Sequence, residues 1–232
     1  MVDYYGEFKS KANALYHLNN SLNDSSGNAN TLSNLVSTPT LQVGSKFGYN
    51  VFFSGSTALG ASSSATWNIA SNNPFSVGYW VYPTTDLNNG GHPVGNTIRT
   101  GADIYGFTTR IESDGKLTLR ICRGNSGEGD AITTTSSVIS VNNSYFIVMT
   151  FNGTNTGAIY LNGVAQATTG GLGAIVATSS CHPTIGCRYL DDSVGKDRFY
   201  KGYIDDVFLT NYVLTAADIK KMYYRALGKM DY

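Results

Sequence analysis

The 232 residues predict an all-β protein of layered antiparallel strands, closed by one helix near the carboxyl end. Three observations lead there. Gly (26) and Tyr (16) are abundant, beside many Ser, Thr and Asn; Gly, Asn and Ser punctuate turns, whereas Tyr and Thr favour strands. Two tight-turn dipeptides, Asp114-Gly115 and Asn162-Gly163, each lie between strand-like runs, and such pairs supply the positive φ that a two-residue hairpin turn requires. Finally, "YFIVMTF" (145–151) hardly alternates between apolar and polar, which is expected of a strand covered on both faces.

Taken in order, residues 1–12 form an amino-terminal extension. They begin a stretch, "MVDYYGEFKSKANALY", with two acids and no long apolar run. It does not read as a secretory signal, so the chain is expected either to have lost a leader or to act without the general export route. From 13 to 232 a single domain is expected, because hairpin signals continue through the middle and no Pro-rich or charged run separates the halves. The short apolar run 14–22 is followed by "NDSSGNAN" (23–30), small polar residues around the carboxylate of Asp24. Strands are expected at 46–55, 75–83, 106–112, 145–153 and 202–210, with hairpins over 110–121 and 157–168. Strand 75–83 places Phe75, Val77, Tyr79 and Val81 on one face, suited to a core between sheets, and Ser76, Gly78, Trp80 and Tyr82 on the other. The Ser-, Thr-, Gly- and Ala-rich segments 54–66 and 168–180 read as loops or weak edge strands. The helix is expected over 215–228. Thr215 and Asp218 begin it in the manner of a capping box, Ile219, Met222, Tyr223, Ala226 and Leu227 form one apolar stripe, and Gly228 suits the position past its end.

Composition excludes some classes. Charged residues are 14% with a formal net charge of zero, so the basic stripe of a nucleic-acid binder is missing. No apolar run reaches membrane-spanning length. Three cysteines make no disulfide framework; Cys181 and Cys187 could pair and leave Cys122 alone, or all three are small buried thiols.

The ordered set "ALYHLNNSLNDSSGNAN", "FGYNVFFSGSTAL", "PFSVGYWVYPTT", "YFIVMTFNGTNTGAIYLNGV" and "GYIDDVFLTNYVLTAADIKKMY" resembles the laminin-G-like, concanavalin A-like jelly roll over roughly 13–227. The resemblance implies a sandwich of two curved antiparallel sheets. It also implies a structural Ca2+, held by the polar loop after the first strand and a carboxylate in the strand before the last helix. Here those places fall on Asp24, with Asn28 and Asn30, and on Asp205. Calcium takes six to eight oxygen ligands, and such a site would fasten the amino-terminal segment to the last strand. Read without the resemblance, 23–30 is a solvated turn capped by Asp24, with Asp205 or Asp206 on a strand edge.

Some proteins of this fold cleave glycosides with paired carboxylates, which on a strand take the pattern Glu-x-Asp-x-Glu. The nearest match, Glu112-Ser113-Asp114-Gly115-Lys116, ends in Lys and enters an Asp-Gly turn, so the alternation breaks; "GEGD" (127–130) reads as a polar loop. His17, His92 and His182 have no metal-ligand spacing, and neither a Gly-x-Ser-x-Gly elbow nor a phosphate loop is present. The chain is expected not to be an enzyme.

Tyr79, Trp80, Tyr82, Tyr105, Tyr189 and Tyr200 are candidates for stacking on sugars, with Trp80, Tyr82, Tyr189 and Tyr200 the expected ligand-binding set; by its apolar strand alone, Trp80 reads as core. Segment 188–202 concentrates charge and aromatics and reads equally as a rim or a solvated connection. The expected role is lectin-like recognition of a glycan or cell-surface polysaccharide at an extracellular or virion surface. The alternative is decoration of a virion, with a homo-oligomer or virion proteins as partners.

Overall fold

A computed structural model describes residues 6–45, 48–61, 67, 69–85, 87, 91–176, 180–191 and 195–228. A helical turn, α1 (Gly6–Lys9), precedes β1 (Ala14–Tyr16), β2 (Ser33–Val36), β3 (Thr40–Ser45), β4 (Gly48–Ser54) and β5 (Ala58–Gly60). The chain continues through β6 (Phe75–Pro83), β7 (Val94–Thr100), β8 (Asp103–Ile111), β9 (Leu117–Ser126) and β10 (Asp130–Thr134). Then come β11 (Tyr145–Phe151), β12 (Gly157–Leu161), β13 (Val164–Ala165), β14 (Thr168–Gly171), β15 (His182–Ile185), β16 (Arg188–Asp191), β17 (Gly195–Asp197), β18 (Lys201–Thr210) and the helix α2 (Ala216–Ala226).

Two antiparallel sheets of eight strands form the sandwich. The first runs β13-β12-β11-β6-β18-β4-β3, with β1 also paired to β18; the second runs β14-β10-β9-β8-β7-β15-β5-β2. The core between them follows from alternation. Phe75, Val77, Tyr79 and Val81 of β6 meet Phe107 and Ile111 of β8 and Leu117, Leu119 and Ile121 of β9. Phe75 sits 4.5 Å from Phe107 and 5.7 Å from Phe151, centroid to centroid. Fully burying one such side chain contributes about 1.5–3 kcal/mol.

The other face of the first sheet is covered over part of its area. Trp80, Phe146, Val148 and Phe208 are buried there beneath Ile219 and Met222 of α2, and Phe8 and Ala12 pack into the same layer. Residues 6–12 are therefore part of the packed structure, whereas 1–5 of the expected extension lie outside the described residues. Thr215 caps α2: its hydroxyl accepts from the Asp218 N–H, and the Asp218 carboxylate accepts from the Thr215 N–H. Gly78 is required by this layer, because a Cβ there would lie 2.2 Å from the Phe208 ring.

Most expected strands form, including 75–83 to the residue; positions 46–47 of the expected strand 46–55 lie outside the described residues. Asn162 and Gly163 both have positive φ (52° and 81°), as a two-residue hairpin demands. Asp114-Gly115 differs: only Gly115 is left-handed (φ 80°), and its N–H reaches the Glu112 carbonyl within a longer loop between β8 and β9. Segment 54–66, read as loop or edge, contains β5, an interior strand between β15 and β2; its Ala58, Leu59 and Gly60 are buried, and 62–66 lie outside the described residues. All three cysteines are buried thiols. No helix among the described residues is long and apolar enough to cross a membrane.

Candidate functional site

The loop 23–30 is organised by its carboxylate. Asp24 Oδ1 accepts from the N–H of Leu15 (3.0 Å) and of Ser26 (2.8 Å), and Oδ2 accepts from the N–H of Asn30 (3.1 Å). The Asn28 amide donates to the carbonyls of Ala12 (3.2 Å) and Asn13 (3.1 Å), and the Asn30 amide donates to Asn13 (3.3 Å). Asp24, Asn28 and Asn30 are thus brought together around β1, where they bind the loop to that strand. Replacing Asp24 with alanine strands three backbone donors. The loop is half exposed, so water recovers part of the loss, and the expected destabilisation is about 2 kcal/mol, read from the urea midpoint. An unchanged midpoint would show that the loop does not depend on this carboxylate.

Asp205 lies on β18. It pairs across the sheet with Trp80, at an irregularity where β18 changes neighbours: Lys201–Ile204 pair with β4, and Val207–Leu209 pair with β1. The bulge is made by Asp206, at φ 46°. Asp205 is 5% exposed, and its Oδ1 accepts from the Asp206 N–H at 2.9 Å. Burial first, and then the neighbouring Asp206, push its carboxyl well above the usual carboxylate range. His17 Nδ1 meets Asp206 Oδ1 at 2.8 Å, which joins the segment after β1 to the bulge. Among the described residues no group of three or more His, Cys, Asp or Glu side chains stands together as metal ligands. Asp205 and Asp206 stand adjacent at the bulge, and the Asp24 oxygens accept from three backbone N–H groups in the loop.

The aromatic candidates separate by burial. Trp80 lies under α2, stacked on Tyr223 at 5.9 Å and tilted against Phe146 at 5.2 Å. Tyr200 belongs to the main core. Tyr189 is buried against His182 (4.2 Å) with the Lys196 ammonium over its ring. These three present no face to a sugar, because the sheets need their apolar area. Tyr82 is half-buried on the outer face of the first sheet, 6.0 Å from Tyr203, which in turn is 5.0 Å from Phe52. Tyr79 is core, and Tyr105 is half-buried.

The outer face of the second sheet carries the densest polar chemistry. On β8 and β9, Phe107, Ile111, Leu117, Leu119 and Ile121 face the core, so alternation turns Thr108, Arg110, Thr118 and Arg120 outward. Register sets Arg110 opposite Thr118 and Thr108 opposite Arg120, and Thr118 opposite Thr133 of β10. The Thr118 hydroxyl lies 2.8 Å from Glu112 Oε1 and 2.9 Å from the Thr133 hydroxyl.

The β16–β17 hairpin lies over one end of this face. The Thr97 hydroxyl of β7 donates to the Tyr189 carbonyl at 2.6 Å, and Leu190 packs on Ile104 and Cys122. Arg188 fixes the hairpin with two bonds to Asp197 (2.8 and 2.7 Å) and one to Glu128 (3.0 Å). Glu128 also receives Arg198 at 3.0 Å, with Arg120 at 3.7 Å; these arginines hold its carboxyl below the usual range despite the opposing effect of burial. His92 is 2% exposed beside the cluster, and both its ring nitrogens lack a hydrogen-bond partner. Burial, and then Arg188, Arg110, Arg198 and Arg120, keep its imidazole neutral well below the ordinary range. The Thr108 hydroxyl is likewise buried without a partner.

Sequence reading missed this cluster as a unit. It read 127–130 as a polar loop and 188–202 equally as a rim or a solvated connection; the available signal was the outward alternation of Arg110, Glu112 and Arg120.

Known proteins show the same fold. The family model described as the concanavalin A-like lectin/glucanases superfamily matches residues 54–220. Domain 4 of AbnA, a GH43 extracellular arabinanase from Geobacillus stearothermophilus solved in complex with arabinotriose, is similar at TM-score 0.67 and 18% identity, covering 91% of this chain and 98% of that one. The binding domain of Paraclostridial Mosquitocidal Protein 1 superposes at TM-score 0.70 with 14% identity, covering 93% and 52%. The binding domain of botulinum neurotoxin serotype G does so at TM-score 0.66 with 18% identity, covering 92% and 50%. This chain spans about half the length of those toxin binding domains. At such identities the likeness shows the fold alone. No curated protein matches the chain.

Proposed function

Because the chain belongs to the concanavalin A-like lectin/glucanase superfamily, we propose that it is a non-catalytic module that binds a saccharide on the outer face of its second sheet. The observation that carries this reading is the polar floor of that face. Arg110, Arg120 and Thr133 are partly exposed there, with Glu112 and Glu128 beside them, over the buried Thr108 and Thr118 that stand in register beneath. Such a surface offers paired donors and acceptors to sugar hydroxyls, and a few placed polar groups on a rigid sheet are what a small-ligand site needs. The saccharide complex of a structurally similar domain supports the same reading. Catalysis is not part of it. Glu112 is engaged by Arg110 and Thr118, and Glu128 is engaged by arginines; neither is left as a general acid opposite a nucleophile.

A structural calcium ion belongs to the proposal as well, with Asp205 and Asp206 as the carboxyls that would hold it. It would supply the positive charge that two adjacent carboxylates need in order to ionise together.

The test is a glycan array of neutral and acidic saccharides, followed by calorimetry on the retained class. Arg110→Ala is expected to weaken binding at least tenfold, with its thermal midpoint within a few degrees of the parent. A silent array, or equal binding by the variant, would reject the assignment.

A further inference from the structure

We infer that the saccharide bound at this face carries a carboxylate, seated between the guanidinium groups of Arg120 and Arg198. This deepens the reading above and rests on it.

The inference comes from how the charges pair. The described cluster holds Arg110, Arg120, Arg188 and Arg198 against Glu112, Glu128 and Asp197. Arg110 has Glu112 at 3.0 Å, and Arg188 has Asp197 in a two-bond fork. Arg120 and Arg198 are left with Glu128, which also serves Arg188. One positive charge in this group therefore has no carboxylate of its own.

The hydrogen bonds agree with the charges. A guanidinium has five N–H donors. Arg198 spends one on Glu128, and its Nε is buried with no partner. Arg120 reaches the carbonyls of Glu128 and Gly129 only at 3.4 and 3.3 Å, and the Glu128 carboxylate at 3.7 Å. Neither guanidinium is saturated, and the planar fork of each matches a carboxylate better than a hydroxyl.

His92 is the second, independent sign. It is a buried side chain with two unpartnered ring nitrogens beside the same arginines, and Thr108 adds a buried hydroxyl without a partner. A single excess charge also distinguishes this site from one for a polyanion, which needs a continuous row of cations.

The experiment uses wild-type protein and three probes: an oligosaccharide carrying one hexuronic acid, the same oligosaccharide with that carboxyl methyl-esterified, and an oligosaccharide carrying one sulfate. Calorimetry at low and moderate salt is expected to show the uronate binding at least tenfold more tightly than its ester, with the difference shrinking as salt rises. Arg120→Gln is expected to make acid and ester equal, while Arg120→Lys keeps the charge but loses the fork and falls between. Because the ester comparison needs no variant, it stands even if a substitution disturbs folding. Equal binding of acid and ester overturns the inference and leaves saccharide binding intact. Tighter binding of the sulfated probe overturns the carboxylate assignment. Failure of all three probes, together with a silent neutral array, removes the saccharide reading and this inference with it.

Discussion

Replacing Trp67 with alanine is expected to destabilise the protein by about 3–5 kcal/mol, the usual range for truncating a buried aromatic. Trp67 is fully buried and stacked on Tyr16 with centroids 6.1 Å apart. It is also the middle of a hydrogen-bonded relay between layers. Asn96 of β7 donates to the Trp67 carbonyl (2.6 Å), Trp67 Nε1 donates to the Tyr16 hydroxyl (3.0 Å), and that hydroxyl donates to the Asn30 carbonyl (2.6 Å). The second sheet, β1 and the Asp24 loop are thus coupled through one residue, by its main-chain carbonyl on one side and its indole on the other. At roughly 2–4 °C per kcal/mol for a domain of this size, the melting temperature should fall by about 6–20 °C. Tyr16→Phe removes only the hydroxyl, leaving a buried N–H and a buried carbonyl unmatched, and should fall by about 2 kcal/mol. A loss below about 1 kcal/mol for Trp67→Ala would mean that the relay does not join the layers.

Asp205→Asn is expected to stabilise the protein at neutral and alkaline pH. An unfolded aspartate ionises near pH 3.9, whereas burial and Asp206 hold the folded carboxyl well above that range. Between those two values the folded chain retains a proton that the unfolded chain has released. Stability is therefore fully present below about pH 4 and falls as pH rises toward the folded value. Asparagine keeps an acceptor for the Asp206 N–H and never ionises, so the dependence disappears. At pH 8, with a chelator present, the variant should exceed the parent by about 2–4 kcal/mol, and the gap should close near pH 4. Added calcium should raise the parent at pH 8 and leave the variant unmoved. Urea titrations at pH 4, 6 and 8 decide the matter; parallel profiles for the two proteins would contradict the assigned ionisation, and a parent indifferent to calcium would remove the ion.

The strands were legible because alternation is a local property. The face Phe75, Val77, Tyr79, Val81 is read from one segment and lies in the core as expected, and the capping residues Thr215 and Asp218 identify the start of α2 from four positions. Burial of aromatics was less legible. Trp80 and Tyr82 lie on the same face of β6, yet α2 covers one and leaves the other half-buried; the pattern within β6 does not say where a later helix will rest. Trp67 gave no signal at all, since the Ser- and Ala-rich run before it has no period.

By itself, the order of side chains determined the longer central strands such as β6, β8, β11 and β18, the tight Asn162-Gly163 turn, the capped helix and the layered antiparallel class, because each depends on residues within a few positions of one another. Only the tertiary structure decided the polar site. Arg188 and Arg198 reach Glu128 across 60 and 70 residues of chain, and Arg120 stands beside them because β9 crosses under the β16–β17 hairpin. Which charge is left without its own partner depends on that convergence: Coulomb attraction acts through a few ångströms of space, and sequence distance does not measure them.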